Sequence, residues 1–109
     1  MAYHARVIEA IRTVVAKGEF EVSRHALERM LVRHIALSDV VEAIANAEVI
    51  EDYPDDKYGP SCLLLGFTRS GRAIHVQVSH PSRVPLKIVT IYGPGSLAVD
   101  RLPATKIVR

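Results

Sequence analysis

Between Arg24 and His34 the chain reads RHALERMLVRH, so His25, Arg29 and Arg33 recur every four residues. On a helix that spacing stacks the three side chains into one ridge. An imidazole can move a proton near neutral pH, and a guanidinium is a permanent cation whose fork fits phosphate or carboxylate. Cleaving RNA without a metal needs these parts. A base takes the 2'-hydroxyl proton, an acid protonates the leaving 5'-oxygen, and cations hold the phosphate while its charge rearranges. His25 is the candidate base, with Arg29 and Arg33 as clamps. His75 is a second proton-transfer candidate, and Tyr92 a hydrogen-bond donor able to orient the phosphate. Close to a helix N-terminus and to arginines, His25 is expected to disfavour its cationic form, which suits a base. A plainer reading stands beside this one: a solvated ridge paired with Glu28, Asp39 or Glu42, His75 as a half-buried strand histidine, and Tyr92 as packing.

The elements that must position these residues follow from periodicity. Tyr3, Val7, Ile8, Ile11, Val14 and Val15 repeat at helical spacing up to a stop at Gly18. Glu19 to Val22 reads as a short strand or an extended lead-in, and Ser23 as the N-cap of the helix carrying the ridge. Ala26, Leu27, Met30 and Leu31 predict a broad core-facing side on that helix, with the ridge along its border, where a side chain can line a cleft. Ser38 is read as the cap of a further helix, which holds Val40, Val41, Ile44 and Ala45 and ends near Asn46.

From Glu48 the period becomes two. Val49 to Tyr53 is a strand, followed by the turn-rich PDDKYGP. Ser70-Gly71 predicts a two-residue hairpin turn, pairing Phe67 with Ile74, Leu65 with Val76 and Leu63 with Val78. His75 and Gln77 then take the other face, with His75 opposite Gly66 and space beside its ring. After HPSRVP, Lys87 to Tyr92 continues the meander, with Val89 near Val76, Ile91 near Ile74, and Thr90 and Tyr92 on the His75 face. The expected fold is α+β, with N-terminal helices packed on an antiparallel sheet of about four strands. Residues 1–95 form one domain, and 96–109 a C-terminal tail, docked or partly mobile.

Composition excludes more than it selects. Of 109 residues 49% are hydrophobic and 24% charged, as in ordinary globular domains, and fourteen basic against twelve acidic residues leave only +2, far from a nucleic-acid-coating protein. The single Cys62 allows no internal disulfide, pointing to a reducing, cytoplasmic setting, and no apolar run approaches the roughly 20 residues that span a bilayer. Without an HxxxH or CxxC pair a zinc site is not expected, nor any other cofactor; Ser61, Ser79 and Ser96 lack a nucleophile-elbow motif, and YGPGS reads as a turn.

The segments HALERMLVRHIALSDVVEAI, YGPS, CLLLGF, RAIHVQVS and KIVTIYGP together resemble the bacterial family known as domain of unknown function 4258, over His25 to Pro94. That family's helix His-Ala-x-x-Arg-Met-x-x-Arg, its Ile-Ser-type entry to the next helix, its strand histidine and its final strand ending in Tyr fall here on His25, Ala26, Arg29, Met30, Arg33, Ile35, Ser38, His75 and Tyr92. The family is similar in pattern to RelE- and BrnT-like toxins and to barnase-like ribonucleases, which implies that topology. It also implies a toxin-like domain with RNA as substrate and a neighbouring-gene antitoxin or other protein as partner. The alternative is a non-catalytic module that binds a protein or an anionic ligand. The chain departs from the pattern at His34, where the family often has Gly at the helix exit, and Ala36 and Leu37 lengthen the step to Ser38.

Overall fold

The computed structural model describes residues 2–57 and 59–93. Helix α1 (Ala2–Ala16) leads into β1 (Phe20–Val22), followed by α2 (Arg24–Arg33), α3 (Leu37–Ala45) and the strands β2 (Glu48–Tyr53), β3 (Ser61–Phe67), β4 (Ala73–Ser79) and β5 (Leu86–Tyr92). The fold is α+β, as expected, but the sheet has five strands in the order β1-β5-β4-β3-β2 and is mixed, because β1 runs parallel to β5. Glu19–Val22 thus supplies a strand of its own. A three-residue segment shows no period by which its distant partner could be read. The expected tail at 96–109 lies outside the described residues.

One face of the sheet carries the core. Val7, Ile8, Ile11 and Val15 of α1, Ala26 and Met30 of α2, and Val40, Ala43 and Ile44 of α3 pack over Cys62, Leu64, Ile74, Val76, Val78, Leu86, Ile88 and Ile91. Removing this surface from water is the main favourable term in folding, at roughly 25 cal/mol per Å². Leu27 and Leu31 do not join it. They are 50% and 71% exposed, so the inward side of α2 is narrower than its sequence suggests. The cause is placement: α2 packs mainly on β5, towards one side of the sheet, and only the Ala26–Met30 stripe meets the core.

The hairpin register differs from the expected one by a single residue. Thr68 N–H donates to Arg72 O at 2.9 Å and Gly71 N–H to Thr68 O at 2.9 Å, leaving a three-residue loop, Arg69 to Gly71, with Gly71 at φ +87°. Leu64 therefore faces Val76, Cys62 faces Val78 and Gly66 faces Ile74. Leu63 and Leu65 move to the His75 face, where Leu65, rather than Gly66, is the partner of His75. The space at Gly66 is filled from the helix side, since a Cβ there would lie 1.9 Å from Ala43 O. On β5, Ile91 pairs with Val76, Thr90 with Gln77 and Tyr92 with His75, after which a bulge at Val89 brings Ile88 opposite Val78. Thr90 and Tyr92 thus share the His75 face as expected, while Val89 does not pair with Val76.

Helix ends are set locally. Gly18 (φ +76°) ends α1, with Gly18 N–H on Val15 O and Glu19 N–H on Val14 O. The same left-handed exit closes α2 at His34 (φ 57°, ψ 48°), where His34 N–H bonds Leu31 O and Ile35 N–H bonds Met30 O. Histidine therefore keeps the conformation that glycine would favour. Helix α3 begins at Leu37, before Ser38, because the Asp39 carboxylate reaches back to accept from Ala36 N–H at 2.9 Å. At its far end the Asn46 amide accepts from Phe67 N–H at 2.9 Å and donates to Phe67 O at 2.8 Å, tying α3 to the end of β3.

Candidate functional site

Ser23 places the ridge. It follows β1 directly, its N–H donates to Ile88 O at 3.0 Å, and its hydroxyl does two jobs at once. The Oγ accepts from Ala26 N–H at 3.0 Å, capping α2, and donates to Val89 O at 2.8 Å. β1 stops pairing with β5 at Ile88, and α2 takes over along the same strand. At the other end, a Cβ on Gly93 would lie 3.7 Å from Arg33 Cδ. The ridge His25, Arg29, Arg33 therefore runs alongside β5 from Val89 to Gly93.

Beside the first turn of α2 a cleft of about 520 Å³ opens, lined by Ser23, His25, Asp56, Gly59, Pro60, Ser61, Ser79, Arg83, Lys87 and Val89. His25 is half-buried, and its Nε2 is shielded from solvent with no hydrogen-bond partner among the described residues. Its pKa is lowered from the usual 6.5, first by desolvation and then by the Arg29 guanidinium, against an opposing pull from Glu28. Neutral imidazole is thus the resting form near pH 7, as expected, although burial and not the arginine is the main cause.

Two cations share the cleft. Lys87 is anchored through its backbone N–H to Ser79 Oγ at 2.9 Å, and its ammonium has no ion pair among the described residues. Arg83 is tethered, with Nη2 2.9 Å from Glu21 Oε2 and Nη1 donating to Pro85 O at 2.5 Å. On the floor, Ser61 Oγ accepts from Gln77 Nε2 at 3.1 Å.

The expected site residues are only partly gathered. His25 lines the cleft; Arg29, Arg33, His75 and Tyr92 do not. Arg29 sits one turn on, close enough to act on His25, and neither Asp39 nor Glu42 neutralises it: Asp39 caps α3, while Glu42 lies 3.8 Å from Arg69. Arg33 is farther along, by Gly93. His75 and Tyr92 are cross-strand partners, only 7% and 3% exposed, and His75 lies four residues from Ser79 on β4, roughly 13 Å along the strand. His75 is more deeply buried than the half-buried strand histidine considered from sequence.

Lys87, Arg83, Asp56, Ser61 and Ser79 are the residues that sequence reasoning left out of the site. The basic pair Arg83 and Lys87 within HPSRVPLK was the available signal, but only the β1–β5 pairing shows that it reaches His25. Arg72 was also unassigned. Its Nη1 and Nη2 donate to His34 O at 3.1 Å and Arg33 O at 2.7 Å, closing the C-terminus of α2. Among the described residues no group of three or more His, Cys, Asp or Glu is placed to hold a metal ion, and no helix is long and apolar enough to cross a membrane.

No curated protein and no solved structure matches the chain. A family model does, over residues 22–93, a stretch that begins at the last residue of β1 and contains every residue lining the cleft. With that match over most of its length, the chain belongs to the family described as Domain of unknown function (DUF4258).

Proposed function

We propose that this protein is a metal-independent endoribonuclease of the toxin-like kind, with its reaction centre in the His25 cleft. The observation that carries the reading is the meeting of one neutral, desolvated imidazole with two cations in a single hollow. His25 takes the proton of the 2'-hydroxyl as that oxygen attacks the adjacent phosphorus. Lys87 and Arg83 hold the non-bridging oxygens, and the Lys87 ammonium protonates the departing 5'-oxygen, leaving a 2',3'-cyclic phosphate. Held by Glu21 and Pro85 O, Arg83 is oriented before substrate arrives. The similarity in pattern to RelE- and BrnT-like toxins supports the same reading, including a RelE- or barnase-like topology, a bacterial cytoplasmic setting and a neighbouring-gene antitoxin as partner.

The test is incubation of purified protein with RNA in EDTA. Fragments ending in cyclic phosphate, lost in His25→Ala and Lys87→Ala, are expected. Intact RNA at high concentrations of folded protein would refute the reading. One observation favours a second reading, a non-catalytic binder of an anionic ligand: the other histidine considered for proton transfer, His75, lies outside the cleft. In that case the same variants lose anion binding and no cleavage is seen.

A further inference from the structure

We infer that the cleft receives its substrate as a single strand, whose backbone runs from His25 along the α2 ridge and is held by Arg29 and then by Arg33. This rests on the preceding proposal that the His25 cleft handles a phosphodiester. It gives a role to the two arginines that the cleft itself leaves out.

The geometry is that of a track. Four residues of helix advance about 6 Å along its axis, so His25, Arg29 and Arg33 form a gently winding row with an axial rise of about 12 Å, in steps comparable to the separation of adjacent phosphates in an extended strand. The row is aligned with β5 at both ends, by the 2.8 Å bond from Ser23 Oγ to Val89 O and by the approach of Arg33 Cδ to Gly93. Four residues of β5 span roughly 13 Å, the same length. Because β1 ends its pairing at Ile88, no strand among the described residues flanks β5 on this side beyond that point.

The electrostatics run the same way. Arg29 has no ion pair among the described residues, and Glu28 is the one carboxylate on α2. At the far end the Arg72 guanidinium, fixed on Arg33 O and His34 O, adds a second cation beside Gly93. Arginines in line contact phosphates and carry little sequence preference. A duplex, whose phosphates follow a rigid curve of their own, meets this ridge at fewer points than a flexible single strand that can follow it does.

The experiment uses fluorescein-labelled, fully 2'-O-methylated oligonucleotides, which bind but cannot be cut, with anisotropy as the readout. Affinity should rise at least tenfold between a dinucleotide and about four nucleotides and then level off, as three phosphates become engaged. A hairpin stem should bind at least tenfold more weakly. Arg29→Ala and Arg33→Ala should each weaken binding about tenfold and reduce the slope of log K against log salt by about 0.7, while Lys17→Ala, in the turn after α1, leaves both unchanged. Equal affinity for dinucleotide and longer strands, equal affinity for the hairpin, or an unchanged Arg29→Ala would overturn the track. So would equal binding of polyglutamate of matched charge, which would make the ridge a dock for an acidic protein. Cleavage of all-ribose RNA is scored separately. Cutting without the length dependence removes this inference alone, and length-dependent binding without cutting removes the catalytic reading alone.

Discussion

Replacing Gly66 by alanine asks directly whether the α3–β3 contact and the hairpin register are as described. An added Cβ would stand 1.9 Å from Ala43 O, 2.6 Å from Ala43 C and 3.0 Å from Ala43 Cα, where ordinary contact begins at 3.4 Å. The shortfall at the oxygen is 3.4 − 1.9, or 1.5 Å, and all three atoms are backbone. No rotamer change can relieve it. Either α3 lifts from the sheet, loosening the fully buried Val40, Ala43 and Ile44, or β3 bends away from its partners. Overpacking of a core costs 1 to 3 kcal/mol when side chains can adjust; with backbone on both sides we expect about 3 kcal/mol or more. For a domain of this size that lowers Tm by roughly 12 to 24 °C. Urea denaturation and calorimetry of Gly66→Ala, beside Gly93→Ala, make the assay. At Gly93 the nearest atoms lie at 3.7 Å, so that variant should stay within about 0.5 kcal/mol of the parent. A Gly66→Ala protein as stable as Gly93→Ala would refute the reasoning, and would favour a register with Gly66 on the His75 face.

His34→Gly removes a Cβ from a left-handed position on an exposed residue and should stabilise the protein by about 0.5 to 1 kcal/mol, read as a higher urea midpoint. Ser23→Ala loses both the α2 cap and the bond to Val89 O; about 2 kcal/mol of destabilisation is expected, read by urea denaturation. Because the pKa of His25 is lower in the folded chain than in the unfolded one, its contribution to stability is intact above the ordinary histidine range and is lost as pH falls through it. Between about pH 7 and pH 5 the parent should therefore lose more stability than His25→Gln, and parallel curves would contradict the assigned burial. Cys62 is buried, with its thiol pushed up to about 12 by desolvation and by Asp52, so iodoacetamide should label it only on unfolding.

Much of this molecule is written in local pattern. The spacing of Val7, Ile8, Ile11 and Val15 makes α1 a helix, Gly18 stops it, and Ser23 caps α2, since each of these effects acts within a turn of chain. The alternation in Ile74, Val76 and Val78 puts His75 and Gln77 on one face of β4 in any register. The i, i+4, i+8 ridge of His25, Arg29 and Arg33 is a property of the sequence once α2 is helical. What the chain alone could not decide depends on segments far apart in number. One extra residue in the Arg69–Gly71 loop slipped the hairpin and carried Leu63 and Leu65 to the His75 face. The three residues of β1 acquired meaning only by pairing with β5, which sets α2 along that strand and brings Lys87 and Arg83, rather than His75 and Tyr92, into the cleft with His25. Periodicity reports which side of an element is apolar. Which elements then stand side by side is settled by close packing between them, here by Ala43 against Gly66 and Ser23 against Val89, and those contacts leave no trace in spacing.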